Sequence, residues 1–540
     1  MLLLATTLFL ASVALSYADP KVKLGPTTLN GLSIPGLGVE FFGGIPFAEP
    51  PLGNLRLKPP VLKTRLSGST FDATSFKSAC LQPAADITGL SEDCLTVNIY
   101  RPAGIPHRAK LPVVFWTYGG AFIGGAASGY NASALVAQSV ARGTPVIYVN
   151  HNYRLGPLGY PQGQEADDKK ILNLALKDQL TALEWVQANI DIFGGDKSKV
   201  TVFGESAGAI MISTLMLNSP LPKLARAAIL ESGSAGTSID LKASQRENVW
   251  QVFVSGVPSC ASLATSGKTL DCLLKANTSE IFAGVNYAIA NAGAFPFNPT
   301  LDGPNGLVPD IPSQVYAAGK FAKIPFIAGT NLDEGTVFTD SSDLSENGIR
   351  NYFINRYSPP LISAAALNAT VDQLLKLYPD VPALVSPYNT GNETFGLPTG
   401  FKRESAIMGD TTFQAPRRRL AQAASKFGVP VYGYHFTQLQ GSSGFPPFLG
   451  VAHTTEIAYV YGTTSDPSSL SKNIMDYWLS FATDLTPNDG KGSNRPVWPQ
   501  YTPHNQALID LNSAHLKTIP DTYHKTQIDF INANPLIFHH

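Results

Sequence analysis

Residues Gly204-Glu205-Ser206-Ala207-Gly208 form a G-x-S-x-G pentapeptide, and its central serine could act as a nucleophile. A short run of β-branched and aromatic residues, 200–203, precedes the pentapeptide and predicts a strand. The mostly apolar run 209–216 follows it and predicts a helix. Strand, sharp turn and helix form the context in which a turn holds a serine hydroxyl at the edge of a sheet. The pentapeptide alone is a common chance match, so the prediction depends on this placement.

An oxyanion hole is the second part that a serine nucleophile needs. The residues Tyr118-Gly119-Gly120-Ala121-Phe122 directly follow the nearly continuous apolar run 111–118, which predicts a buried strand. Small residues at this point allow backbone N–H groups to approach a developing negative charge. We therefore predict oxyanion donors at Gly120, Ala121 and Ala207, with Gly119 serving the turn.

A base and an orienting acid complete the predicted machinery. Glu334 follows the predicted strand 324–328, where such an acid belongs, although its neighbour Asp333 is an open alternative on sequence alone. His453 lies in a loop after the predicted strand 431–436 and is the candidate base. His435, inside that strand, is expected to pack in the core.

The last two histidines, His539 and His540, end the chain and are expected to be mobile. They are therefore left out of the predicted site.

Alternating strands and helices predict an α/β fold with one large, mostly parallel central sheet and helices on both faces. The run Val431–Phe436 is predicted as the last central strand, and Asn173–Ile190 as an amphipathic helix with Trp185 on its apolar side. No repeat or interdomain linker is evident, so residues 19–540 are predicted to form a single domain.

Composition limits the partners and the compartment. The formal net charge of −1 over 540 residues does not favour nucleic acid or an anionic membrane as a partner. Residues 1–18 are predicted to be a secretory signal peptide, with an uncharged apolar run before Ser16-Tyr17-Ala18. No later apolar run is long enough for a transmembrane helix. The mature protein is therefore expected to be secreted, with an unknown oligomeric state.

Four cysteines fit an oxidising compartment. Three pairings are formally possible, and we favour the two local ones, Cys80 with Cys94 and Cys260 with Cys272. Four sequons are candidate glycosylation sites. They are Asn131, Asn277, Asn368 and Asn392.

Several long motifs together resemble the type-B carboxylesterase/lipase family, which includes acetylcholinesterase and large fungal lipases. The resemblance covers roughly residues 25 to 535 and keeps the family's motif order. The matching segments are Phe193–Gly208, Glu92–Ile99, Gly44–Ala48, Tyr118–Gly120, Asp333–Thr336 and Val451–Ile457. The resemblance implies an α/β-hydrolase fold, ester hydrolysis and no metal or organic cofactor.

The resemblance also implies site residues. It selects Glu334 as the acid and His453 as the base, and it has counterparts for both local disulfides. Ser232 matches a family serine thought to support the triad, and we also predict Glu205, beside the nucleophile, as a supporting residue. The third glycine that the family often shows in the oxyanion loop is Ala121 here, which removes no backbone donor.

The first disulfide loop departs from the family's lipases, in which it is long and forms a mobile lid. Only 13 residues separate Cys80 from Cys94. We therefore expect an open or partly covered site without strong interfacial activation. The predicted function is a secreted serine carboxylesterase for short-to-medium or aryl and cinnamoyl esters. The alternatives are a lipase or sterol esterase for long acyl chains and, more remotely, a non-catalytic cholinesterase-like binding protein.

Overall fold

The computed structural model describes residues 19–339, 342–441 and 445–540. The predicted signal peptide lies outside these residues. The strands of the described residues are β1 (Lys21–Leu24), β2 (Thr27–Asn30), β3 (Leu32–Ile34), β4 (Val39–Pro46), β5 (Thr70–Asp72), β6 (Ala79–Cys80), β7 (Leu90–Ser91), β8 (Thr96–Pro102), β9 (Leu111–Thr117), β10 (Ile147–His151), β11 (Gly195–Glu205), β12 (Ala227–Glu231), β13 (Phe326–Asn331), β14 (Val431–Phe436), β15 (Ala507–Leu511) and β16 (Lys517–Pro520).

The helices are given in the same chain order. They are α1 (Ser133–Ala141), α2 (Gly156–Gly159), α3 (Gly163–Asp168), α4 (Leu174–Asn189), α5 (Ala207–Leu215), α6 (Leu221–Leu224), α7 (Glu247–Ser255), α8 (Leu270–Leu273), α9 (Thr278–Asn291), α10 (Pro312–Ala317), α11 (Glu346–Arg356), α12 (Ala364–Leu377), α13 (Thr399–Gly409), α14 (Ala415–Lys426), α15 (Ile457–Val460), α16 (Leu470–Asp484) and α17 (Lys525–Ala533). No helix in the described ranges has both the length and the apolar character needed to cross a bilayer.

One large sheet organises the fold. Its strand order is β16-β15-β14-β13-β12-β11-β9-β10-β8-β4-β3. The seven strands from β15 to β10 in this order pair in parallel, and the antiparallel strands lie at the two edges. Strands β10 and β12 to β15 are buried along their whole length, so helices must cover both faces. The predicted α/β-hydrolase sheet is confirmed.

The predicted end of the central sheet is wrong. Strand β15 pairs in parallel with β14, and β16 then adds an antiparallel edge. The apolar signal of β15 is short because Asp510 interrupts it, and this carboxylate accepts a hydrogen bond from the Thr437 hydroxyl at 2.6 Å. A five-residue strand with an internal acid gives little pattern to detect.

A segment inserted between β13 and β14 covers one side of the sheet. Helices α11, α12, α13 and α17 share a second hydrophobic cluster, separate from the main core. Phe538 belongs to this cluster, and His539 and His540 are buried beside it. The prediction that the two terminal histidines are mobile is therefore wrong, because the cluster needs the chain end to fill it.

Two disulfides tie local loops, Cys80–Cys94 and Cys260–Cys272. These are the two local pairings that the sequence favours. Helix α4 begins and ends within one residue of its predicted bounds, and Trp185 on it is fully buried.

Candidate active site

Ser206 lies at a sharp turn between β11 and α5. Its backbone has φ +52° and ψ −125°, a conformation that costs energy for a side-chain-bearing residue. The Ser206 N–H donates to the Glu231 carbonyl at 2.9 Å and ties the turn to β12. A Cβ on Gly208 would lie 2.0 Å from the Thr117 carbonyl oxygen, so only glycine allows this close approach. The flanking glycine of the pentapeptide therefore lets the turn pack against β9.

Glu334 and His453 meet although 119 residues separate them. The Nδ1 atom of His453 lies 2.5 Å from Glu334 Oε2, and both residues are buried. The other carboxylate oxygen of Glu334 accepts the Asn331 N–H at 2.7 Å. This arrangement holds the imidazole in one orientation and fixes the proton on Nδ1.

Asp333, the alternative acid, is engaged elsewhere. Its carboxylate accepts hydrogen bonds from the Ser386 hydroxyl and from the N–H groups of Tyr388 and Val451, each at 2.8 Å. The carboxylate therefore anchors the segment that carries His453, and in the described residues it makes no contact with the imidazole.

The Nε2 atom of His453 faces a second carboxylate. It lies 3.1 Å from Glu205 Oε1, and within the described ranges it forms no hydrogen bond, with Ser206 or with any other group. Catalytic hydrogen bonds are often long without substrate and shorten in the Michaelis complex. Glu205, predicted only as a supporting residue, is thus the group next to Nε2 of the candidate base.

Three carboxyl groups set the charge of the imidazole. Burial lowers the pKa of His453, but the negative charges of Glu205, Glu334 and Glu456 outweigh it and raise that pKa to about 9. Burial also raises the pKa of Glu205 well above its usual range and that of Glu456 to about 7. A protonated Glu205 has no charge to attract the imidazolium, so the two effects oppose each other. Glu334 also raises the pKa of His453, through its charge and its hydrogen bond to the imidazole.

The predicted oxyanion loop runs against the turn at Ser206. A Cβ on Gly119 would lie 2.9 Å from the Ser206 Cβ, so the loop can come this close only with glycine there. The Gly120 carbonyl accepts the N–H groups of Ile123 and Gly124, both at 3.0 Å, which closes a tight turn. Ala121 has a φ of +53°. In the described chain, the N–H groups predicted as oxyanion donors, those of Gly120, Ala121 and Ala207, donate to no protein acceptor.

A cavity of about 500 Å³ opens onto the serine. Ser206, Ala207 and Ala121 line one end of it, with apolar and aromatic side chains along its walls. Among these, the rings of Phe338 and Phe413 pack on the His453 ring at centroid distances of 5.0 and 4.6 Å. The candidate nucleophile thus lines the cavity, and two aromatic residues of the cavity wall pack on the candidate base.

A single π-helical turn, Asp410–Gln414, joins α13 to α14 and was missed by the sequence reasoning. It directs Thr412 and Phe413 to the cavity. Pro416, two residues after the turn, is the sequence feature that could have indicated it. Proline lacks an N–H, and its ring clashes with the carbonyl four residues earlier in a regular helix. Such π-turns occur often at functional sites.

The short disulfide loop stays away from the cavity. None of the described lining residues belongs to the segment between Cys80 and Cys94. Gln82 instead exchanges two hydrogen bonds with the backbone of Gly125, at 2.8 and 3.1 Å, which holds the loop down beside the oxyanion turn.

Ser232 and the sequons have weaker connections to the site. Ser232 is buried with a φ of +49°, and its hydroxyl has no hydrogen-bond partner among the described residues. In this part of the chain the Ser232 hydroxyl therefore forms no hydrogen bond with Glu334 or His453. Asn131, Asn277 and Asn392 are exposed, whereas Asn368 is half-buried and accepts a hydrogen bond from Arg350. Glycosylation at these positions stays a prediction.

Comparison with known proteins gives consistent matches over nearly the whole chain. A family model described as "Carboxylesterase family" matches residues 18–531. The chain is 32% identical to Lipase 2 of Geotrichum candidum, over 94% of this chain and 95% of that protein. It is 33% identical to Secreted lipase 1 of Botryotinia fuckeliana (strain B05.10), over 96% and 93% of the two chains. The crystal structure of Aspergillus niger EstA aligns with a TM-score of 0.82 at 26% identity, covering 97% of this chain and 99% of that one.

Proposed function

The chain belongs to the carboxylesterase family, and we propose that this carboxylic ester hydrolase works through an acyl-enzyme on Ser206. The observation that carries the proposal is the 2.5 Å contact between His453 Nδ1 and Glu334 Oε2, placed beside the strained turn at Ser206. An acid, a base and a serine that come from three separate loops have the order and the roles of a catalytic triad.

In the proposed reaction, His453 accepts the Ser206 proton on Nε2 while the serine oxygen attacks the ester carbonyl. The N–H groups of Gly120, Ala121 and Ala207 stabilise the negative charge on the carbonyl oxygen. His453 then protonates the leaving alcohol. A water molecule, deprotonated by the same imidazole, releases the acid and restores the serine. Glu334 keeps the imidazole oriented and stabilises its charged form.

Short-to-medium and aryl or cinnamoyl esters are the proposed substrates. Two observations support this choice. The cavity is aromatic and measures about 500 Å³, which is within the range of small-molecule sites. The short loop between Cys80 and Cys94 is held against Gly125 by Gln82 and supplies none of the described residues that line the cavity.

Long-chain acyl esters are the second candidate. The names of the relatives support it, because those from Geotrichum candidum and Botryotinia fuckeliana are lipases. Hydrolysis of p-nitrophenyl esters from acetate to palmitate, with and without detergent, separates the two candidates. A jump in activity above the substrate's solubility limit would favour the lipase.

Secretion is proposed on two grounds. The structure holds two disulfides, which persist in oxidising compartments. The relative from Botryotinia fuckeliana is named a secreted lipase. N-terminal sequencing of protein from the culture medium tests it, and a mature chain that begins near Asp19 is the expected result.

Covalent labelling tests the nucleophile. An organophosphate is expected to modify Ser206 in the wild-type protein and to modify nothing in Ser206→Ala, as read by peptide mass spectrometry. Ser213→Ala is the matched control, because Ser213 is a buried serine on α5 that does not line the cavity. An adduct on another serine, or ester hydrolysis that survives in Ser206→Ala, would refute the proposed mechanism.

A further inference from the structure

The charged residues that line the described cavity are all cationic. Its described lining residues include no aspartate and no glutamate, but they include two arginines, Arg246 and Arg356. A cavity that takes only neutral esters has no need for a cation, and a cation removed from water is costly unless it is paired. The partners of each arginine therefore indicate whether its charge is left for a ligand of the cavity.

Arg246 is already occupied. Its Nη2 donates to the Ile239 carbonyl at 2.6 Å, and its Nη1 donates to the Pro296 carbonyl at 3.4 Å. Asp240 also acts on it electrostatically, since burial lowers the Arg246 pKa to about 10 while the Asp240 charge opposes that change. This guanidinium links two backbone segments of the cavity wall through its hydrogen bonds.

Arg356 has much weaker partners. Its Nη2 donates to the Thr412 hydroxyl at 3.2 Å, and its Nε has no hydrogen-bond partner in the described residues. Arg356 takes part in none of the ion pairs formed by the described residues. The remaining neighbours are the ring of Phe295, at 5.7 Å, and the neutral hydroxyls of two tyrosines. The hydrogen-bond partners of this guanidinium in the described residues are neutral hydroxyls, those of Thr412, Tyr352 and Tyr357, and none of them supplies a counter-charge.

The position of Arg356 places it near the reaction centre. Thr412, its hydrogen-bond partner, precedes Phe413, whose ring packs on the His453 ring at 4.6 Å. A second path through the wall runs from Phe295 to Phe338 at 5.8 Å. Phe338 also packs on His453. The guanidinium is thus separated from the catalytic histidine by two layers of side chain.

We propose that Arg356 binds an ionised carboxylate of the substrate, so that the enzyme prefers esters with a second, anionic carboxyl group several bonds from the scissile carbonyl. Half-esters of dicarboxylic acids are the simplest members of this class. A carboxylate would accept two hydrogen bonds from the guanidinium fork and neutralise a charge that the cavity wall leaves unpaired. This inference rests on the proposed function, and it makes Arg356 a residue that determines specificity.

Paired substrates test the inference. The mono-p-nitrophenyl ester of adipic acid and p-nitrophenyl hexanoate share a six-carbon acyl chain but differ in charge. In the wild-type enzyme we expect a higher kcat/KM for the anionic ester, mainly through KM. Arg356→Gln is expected to lower the ratio of the two kcat/KM values about tenfold, the loss typical of a charge-assisted hydrogen bond. The hexanoate, which has no second carboxylate, serves as the reference for that ratio, and Arg356→Lys should keep part of the preference.

Arg350→Gln is the matched control. Arg350 lies on the same helix, α11, but its guanidinium pairs with Asp372 and does not line the cavity. If the ratio of the two kcat/KM values in Arg356→Gln equals that of the wild-type enzyme, the inference is overturned. If the wild-type enzyme does not hydrolyse the hexanoate at all, the proposed function is overturned instead. If Arg356→Gln does not fold, inhibition of the wild-type enzyme decides: free adipate should inhibit hexanoate hydrolysis more strongly than adipamide. Equal inhibition by the two would overturn the inference.

Discussion

Replacing Glu205 by glutamine is expected to move the pH profile of the enzyme toward acid. The carboxylate oxygen of Glu205 lies 3.1 Å from the Nε2 atom that must be unprotonated for His453 to act as a base. An ionised Glu205 stabilises the imidazolium and so raises the pKa of His453. Glutamine keeps the size and polarity of the side chain but removes the charge. The acidic limb of the kcat/KM profile, which reports the base in the free enzyme, should therefore shift to lower pH.

The size of the shift follows from the geometry. Two unit charges 3.1 Å apart attract by about 5 kcal/mol at an effective dielectric constant of about 20. This is an upper bound here, because burial raises the pKa of Glu205 and so reduces the fraction of it that is charged. A close carboxylate typically moves a neighbouring pKa by about 1 to 3 pH units. We expect the midpoint of the acidic limb to move to lower pH by an amount within that range, about 1 to 3 pH units.

The assay is the rate of p-nitrophenyl hexanoate hydrolysis between pH 4 and pH 10, compared for wild type, Glu205→Gln and Glu231→Gln. Glu231 is a matched control, because its carboxyl group is equally buried but accepts a hydrogen bond from Trp478 and does not touch His453. Its variant should keep the wild-type midpoint. A midpoint that stays in place, or moves to higher pH, in Glu205→Gln would refute the reasoning.

Other substitutions separate catalysis from stability. Glu334→Gln is expected to lower kcat about 10⁴-fold, because the imidazole is no longer held in one tautomer. Asp333→Asn should lower Tm and largely keep kcat. Equal losses of kcat in the two variants would contradict the choice of Glu334 as the acid. Asp521→Asn leaves the buried Arg417 without its counter-charge and should cost about 3–5 kcal/mol in urea unfolding. Arg417 outweighs burial and lowers the Asp521 pKa, so the same stability should disappear as pH falls through the acidic range. Removing Cys260–Cys272 should cost about 3 kcal/mol by the same measurement.

The nucleophile turn and the oxyanion loop could be predicted because their requirements are local. The close approach of Gly208 to β9 and of Gly119 to Ser206 leaves room only for glycine, so the chemistry is visible in a few adjacent letters. The same is true of the central parallel strands, whose continuous apolar runs reflect burial on both faces.

The choice between neighbouring acids could not be made from local sequence. Asp333 and Glu334 differ in function because the partners of Asp333 come from positions 53 to 118 residues away in the chain. The position after a predicted strand favoured Glu334 but left Asp333 open, and only the family resemblance decided between the two. The sequence predicted Glu205 only as a supporting residue and did not predict its contact with His453. The reason is the same, because the two residues are far apart in the chain and only the tertiary structure brings them together.

The residues proposed for acyl transfer and the residue proposed for substrate specificity come from different parts of the chain. Ser206, Glu334 and the oxyanion loop follow parallel strands, whose ends meet at one edge of the sheet. Arg356 and Phe413 instead belong to the insertion between β13 and β14, where Arg356 ends α11 and the π-turn before Pro416 sets the direction of Phe413. Phe413 packs on the His453 ring, so a change at Phe413 would reach the base, whereas the described contacts of Arg356 are with Thr412 and neighbouring rings. Substitution of Arg356 is therefore expected to change specificity through KM, and substitution at the strand ends to change catalysis through kcat.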